Sequence, residues 1–206
     1  DAIPQGYSIE EFHEEGLLFE GGFTPLNYGA GAVLPLGPRY MELMEAYERM
    51  VCFGFMIEDT SRGRVRALPG SYRPFITYHL NDRDVARLKR GTDLLCRVYL
   101  AAGARVILPN VDGFDEIHGE EDLGRLRRAR LRARDFEILA FHPLGTARLG
   151  VDPAASVVGP DHQAHDVPGL YVIDGAAVPS SLAVNPQLTI MALASRAAEG
   201  LAARLA

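Results

Sequence analysis

The chain has 206 residues, 48% hydrophobic and 23% charged, enough for one domain or two small ones with an ordinary buried core. Its formal charge of −6 argues against a general nucleic-acid binder, and no run approaches the ~20 apolar residues of a membrane-spanning helix. Two cysteines, Cys52 and Cys96, each in an apolar run, give neither a disulfide framework nor a metal-type spacing. They read as buried free thiols of a reducing compartment, and a cytoplasmic location is expected. The chain opens Asp1-Ala2-Ile3-Pro4 without a methionine or a signal-peptide pattern, so an upstream part is expected to have been removed, cut or left out.

Residues 1–30 mix acids with aromatics and aliphatics, and Gly16, Gly21 and Gly22 divide them into strand-length pieces. The acids Glu10, Glu11, Glu14 and Glu15 read as a solvated face. Gly29-Ala30-Gly31 lacks the third glycine and the preceding strand of a dinucleotide fingerprint, and so reads as a loop. A helix is predicted over 38–50, with Met41, Met44 and Tyr47 beside Leu43 as its core stripe. Val51–Ile57 reads as a strand, the turn Asp59–Gly63 follows, and Arg64–Leu68 completes a predicted hairpin. Phe75–Leu80 is a further strand, with His79 on its face. Asn81–Asp84 opens a helix that runs over 85–102 and ends at Gly103. Arg105–Pro109 is one more short strand. This part of the chain therefore reads as an α+β layer of antiparallel strands and helices. Six arginines fall within Arg125–Arg134, behind Glu120, Glu121 and Asp122, and read as a solvated helix face with its charges ordered along the dipole.

The last third carries the chemistry. His142 lies in a tight turn, His142-Pro143-Leu144-Gly145-Thr146, and histidine suits proton transfer near neutral pH. Leu170–Ile173 is an apolar run suited to a buried parallel strand, ending in Asp174-Gly175 where α/β sheets place ligands. Asn185-Pro186 reads as the N-cap and first residue of a long helix through Gln187-Leu188-Thr189, whose free amides would favour negative charge. Singly, each pattern has a bland reading as a surface histidine, a common turn or an ordinary capped helix.

In this order, over residues 141–206, the three patterns resemble the C-terminal signature of the glucose-methanol-choline (GMC) family of FAD-dependent oxidoreductases. The likeness is looser over 1–140. It implies an α+β fold with an antiparallel substrate-binding layer over 1–140. Residues 141–206 would be a strand-helix segment that completes an FAD-binding domain and the active site. It implies that His142 is the catalytic base or acid and that Asn185 holds the substrate oxygen. Asp174, Gly175, Asn185, Pro186 and Gln187 would contact FAD. Leu149 and Ala147 stand where the family often has Met and Cys, a difference of packing. His162 and His165 are three apart near a turn, but His165 matches a non-catalytic family position, so neither is read as a metal ligand. The glycine-rich fingerprint that opens the family's FAD-binding domain is not in this sequence. The expectation is a C-terminal segment of an enzyme that oxidises an alcohol CH–OH to flavin N5, completed by an N-terminal FAD-binding segment. The aromatic character of 51–80 suggests a hydrophobic alcohol. The alternatives are an FAD-containing lyase of the same fold and a non-catalytic interaction fragment.

Overall fold

Two short antiparallel sheets and five α-helices make up a mixed helix-and-sheet fold in the computed structural model, which describes residues 6–22 and 25–206 with the Tyr28 side chain excepted. The opening tetrapeptide Asp1–Pro4 and Phe23 lie outside the described residues. The chain divides into two units, one formed by residues up to Ser61 with Leu80–Ile138, the other by Arg62–His79 with Leu139–Ala206.

In the first unit, β1 (Ser8–Ile9), β2 (Leu17–Gly22) and β3 (Cys52–Ile57) form an antiparallel sheet, with Phe19 opposite Phe55 and Leu17 opposite Ile57. The short α1 (Leu26–Gly29) and α2 (Pro38–Glu45) lie between β2 and β3 in the chain. Along α2, Leu43 is buried, whereas Met41 is 58% exposed. At 100° per residue two positions fall on opposite sides of a helix, so the core stripe runs through Leu43 and leaves Met41 outside it.

Asn81 starts α3 (Asp82–Ala101) as its sequence suggests, accepting a hydrogen bond from the Asp84 amide at 2.9 Å. This helix packs on the sheet through Leu94, which joins Leu17 and Phe19 in a core flanked by Phe53, Phe55 and Ile57. Its opposite face enters a second core, in which Cys96 of α3 meets Ile107, Ile117, and Leu123 and Leu126 of α4 (Glu120–Arg128). Burial pushes the Cys96 thiol up to about 11, which keeps it protonated and unreactive at neutral pH. Cys52, by contrast, is exposed, so only one of the two thiols is buried as expected.

The predicted hairpin of residues 51–57 with 64–68 does not form. β3 pairs with β2, while β4 (Arg62–Arg66) pairs with β5 (Phe75–His79) in the second unit. The connecting turn is held elsewhere. The fully buried carboxylate of Asp84 accepts from the Thr60 amide at 2.8 Å, the Thr60 hydroxyl at 3.0 Å, the Ser61 amide at 2.7 Å and the Ser61 hydroxyl. Burial alone would raise the Asp84 pKa. The hydrogen bonds from Ser61 and Thr60 outweigh it and hold the pKa below the usual aspartate value.

Residues 105–109 give an isolated bridge, Ile107 to Ile117, rather than a strand. The arginine run also departs from a continuous helix face, because α4 ends at Arg128 and a 3-10 turn follows at Ala133–Asp135. Its charges are largely paired: Arg127 with Asp93 at 2.5 Å and with Glu120, Arg125 with Asp122 at 3.4 Å, Arg132 with Asp135 at 3.5 Å. Among the described residues no helix is long and apolar enough to cross a membrane.

Candidate functional site

Most of the second unit is irregular backbone, and the candidate residues sit on it. His142 is exposed, at the start of a loop that is sewn edge-on to the 3-10 turn Gly175–Ala177. Three amides on the histidine side donate in step to three successive carbonyls: Gly145 to Gly175 at 3.4 Å, Ala147 to Ala176 at 2.9 Å, and Leu149 to Ala177 at 2.8 Å. Gly145 has φ 78, and an added Cβ would lie 3.2 Å from the Val178 carbonyl oxygen, so both its conformation and its contact call for glycine.

Asp174 caps the facing turn, its Oδ1 accepting from the Ala176 amide at 2.8 Å. That bond fixes the orientation of an exposed carboxylate, and one of its two oxygens is thereby occupied. Gly175 is where the three sequence patterns meet. A Cβ placed there would lie 3.2 Å from Leu144 Cδ2, 3.2 Å from Ile190 Cδ1 and 3.6 Å from the Pro143 carbonyl oxygen. The histidine loop, the Asp-Gly turn and the terminal helix thus converge on one position.

The terminal helix α5 (Gln187–Leu205) begins one residue later than its sequence suggests, with Pro186 as N-cap. Proline has no side-chain acceptor, and no side-chain cap forms at that position. The first intrahelical bond into the helix start is Ile190 N–H to Pro186 O at 2.9 Å, so the helix leaves the amides of Gln187, Leu188 and Thr189 unused by its own ladder. Asn185 is exposed, next to the buried Pro186. Two residues earlier Ala183 is left-handed, φ 58, a conformation that costs a non-glycine residue about 1–2 kcal/mol. Strain of this kind beside candidate binding residues is what functional turns store.

Residues 170–173 do not form the expected buried parallel strand. Leu170 is 50% exposed, and Tyr171 makes an isolated antiparallel bridge to Gln163. The reason is the partner: the backbone bonded to this segment runs antiparallel, Ala164 donating to Leu170 at 2.8 Å and Val172 to His162 at 3.0 Å.

That partner loop contains a residue whose role the sequence does not signal. His162 is 1% exposed and left-handed, φ 66. Its Nδ1 lies 2.9 Å from the Val172 carbonyl oxygen. A carbonyl only accepts, so Nδ1 carries the hydrogen and Nε2 is left as an acceptor. Among the described residues Nε2 is buried without a hydrogen-bond partner, a situation that costs about 1–3 kcal/mol. From the other side α5 grips the same loop, Arg196 donating to Pro160 O at 3.0 Å and Arg204 to Asp161 Oδ2 at 2.8 Å. His165 is engaged separately, Nε2 lying 2.9 Å from the Ser156 hydroxyl, which donates to Asp152 O at 2.6 Å. The two histidines therefore use their rings on different partners, and no group of three metal-ligating side chains occurs among the described residues.

Residues 59–194 match the GMC oxidoreductase family, spanning the hairpin, both helices after it and the three converging segments. An uncharacterized GMC-type oxidoreductase of Mycobacterium tuberculosis is 30% identical over 204 residues, 98% of this chain and 32% of the relative. A long-chain-alcohol oxidase of Arabidopsis thaliana is 29% identical over 130 residues, 59% of this chain and 18% of its own. A cholesterol oxidase of M. tuberculosis is 50% identical over 60 residues, 29% of this chain and 10% of its own. This chain thus spans about a third of the length of the first of these relatives. By its match over 59–194, which includes the histidine loop, the Asp-Gly turn and the start of α5, the chain belongs to the GMC oxidoreductase family.

Proposed function

We propose that the chain supplies the active-site segment of an FAD-dependent enzyme that oxidises an alcohol CH–OH group. In this reading residues 1–140 form the substrate-binding layer, and residues 141–206 complete the active site together with the FAD-binding segment of the same enzyme. The observation that carries it is the convergence on Gly175 of the loop after His142, the turn after Asp174 and the helix after Asn185. Two relatives named for alcohol and cholesterol oxidation support the same class of substrate.

The residues present suit the cofactor. Asp174 offers an exposed carboxylate of fixed orientation to a ribityl hydroxyl. Gly175 keeps the turn thin, and Pro186-Gln187 opens a helix whose first amides are unused by the helix itself. The positive end of that helix favours negative charge at the ring edge it meets. When bound, FAD would supply the acceptor for the hydride of the alcohol carbon. His142 would take the hydroxyl proton, and Asn185 would hold the oxygen as the C–O bond becomes a carbonyl.

The test is a visible spectrum of the enzyme purified with its FAD-binding segment, before and after adding primary and secondary alcohols under nitrogen. A flavin band that bleaches is expected, and His142→Gln should slow bleaching by about 10²–10⁴ while flavin stays bound. A protein without a flavin band, or a band that alcohols leave unchanged, would refute the reading.

A further inference from the structure

We propose that His162 is a positioning residue that fixes the Val172–Gly175 segment through its Nδ1–H, and thereby sets the geometry offered to the cofactor. The inference rests on the reading of Asp174 and Gly175 as cofactor contacts.

His162 and Val172 are joined twice. The Val172 amide donates to the His162 carbonyl at 3.0 Å, and the His162 ring donates from Nδ1 to the Val172 carbonyl at 2.9 Å. The His162 amide in turn donates to Gly159 O at 2.8 Å, closing the turn on which the ring stands. Val172 is two residues before Asp174, so a pinned Val172 carbonyl limits how far the peptide leading to Asp174 can rotate. The other face of the loop is held by Arg196 and Arg204 of α5, the helix that also touches Gly175 through Ile190. The ring therefore ties Val172 to a loop that α5 holds in turn through Arg196 and Arg204.

Two features at this position oppose stability. A left-handed backbone suits glycine or asparagine better than histidine, and a buried ring nitrogen without a partner is unfavourable. A residue chosen for packing would avoid both: leucine would leave no orphan acceptor, glycine no strained φ. What histidine adds over either is a rigid N–H aimed at Val172 O. Strain that is kept together with one specific bond points to a role for that bond.

The two ring nitrogens can be separated by substitution. In His162→Asn the side-chain amide NH2 takes the place of Nδ1, and asparagine tolerates the left-handed backbone. In His162→Gln the amide reaches the place of Nε2 instead. FAD titrated into the deflavinated holoenzyme should bind His162→Asn within about twofold of the parent and His162→Gln on the order of tenfold more weakly, the loss of one hydrogen bond's worth of ordering. The visible circular dichroism of the bound flavin should change in His162→Gln and not in His162→Asn. His162→Gly, which relieves the backbone but has no donor, should resemble His162→Gln in affinity, although the cavity it leaves lowers its melting temperature further. Equal FAD affinity in all three variants, or losses that simply follow melting temperature, would overturn the proposal. Asp174→Ala belongs in the same series. If it weakens FAD while the His162 variants do not, only the positioning role fails; if it has no effect, the cofactor reading fails and the positioning role with it.

Discussion

The two units solve different problems with the same chain. In the first, large side chains close two cores: Phe19, Leu17, Ile117, Leu123 and Leu126 are almost wholly buried. Its long helix α3 is capped by an asparagine, several of its arginines are paired, and the Asp84 carboxylate is saturated with donors. In the second, the buried residues are mostly small, with Val158, Ala164, Ala177 and Val178 in the interior, and order comes from backbone hydrogen bonds between loops. Its helix α5 starts without a side-chain cap, Ala183 and His162 are left-handed, and one ring nitrogen has no partner. Packing fixes a fold to within the give of its side chains; a ladder of backbone bonds fixes a loop atom by atom. The residues that would do chemistry lie in the unit built the second way, where preorganisation is worth more than stability.

If this division is right, damage to the first unit should register as stability and damage to the second as ligand binding. The largest effect is expected at Asp84. Asp84→Asn would keep the shape but remove the charge, and an NH2 group in place of Oδ2 would face the Thr60 and Ser61 amides, which can only donate. Stability should fall by about 2–4 kcal/mol, from an unmade set of bonds to a buried charged group. The pH dependence follows from the depressed pKa. The contribution of Asp84 is complete above its unfolded value of about 4 and is lost as pH falls through the lower folded value. Acid unfolding curves of the parent and of Asp84→Asn should therefore approach one another at low pH and diverge toward neutrality. Curves that stay parallel would mean that the carboxylate is not held as described.

A smaller loss is expected at Gly91, in the middle of α3. A Cβ there would overlap the Phe55 ring, inside the core formed with Phe19 and Leu94. Alanine ordinarily gains about 1 kcal/mol over glycine in a helix. Here the overlap should reverse the sign, with Gly91→Ala destabilising by about 1–3 kcal/mol as Phe55 is displaced. Thermal melts decide it: a higher melting temperature for Gly91→Ala would show that the ring moves freely and that this core is looser than described. FAD affinity should be unchanged at either position.

What could be read beforehand follows the same line. Asn81 as the cap of α3 was legible because a cap and its partner lie three residues apart. The pairing of β3 was not, because it joins residues as far apart in the chain as Leu17 and Ile57, with two helices between them. In the second unit the three patterns around His142, Asp174 and Asn185 were legible as an ordered set. Their meeting at Gly175 depends on Leu144 and Ile190, which look like any apolar residues in the sequence. The start of α5 was misplaced by one residue, since Asn-Pro suits either cap assignment. His162 cannot be told from His165 in the sequence, because a left-handed, buried histidine has no mark there beyond the Gly159-Pro160-Asp161 turn before it.

Gly175→Ala should give the smallest effect on stability and the clearest one on the division between the units. The added methyl would meet Leu144 Cδ2 and Ile190 Cδ1 at 3.2 Å, and both are ends of flexible side chains that need to yield only a few tenths of an ångström. The Pro143 carbonyl at 3.6 Å is at ordinary contact distance. Loss of stability should stay under about 1 kcal/mol, a shift of no more than about 4 °C for a chain of this size. The displacement falls where the histidine loop and α5 lean on the Asp174 turn, so FAD titrations should show weakening of about tenfold, far more than such a melt would suggest. An equally small change in both readouts would mean that Gly175 is a point of packing rather than of alignment. Loops sewn by backbone bonds would then be as tolerant as the cores of the first unit, and the contrast between the units would not hold.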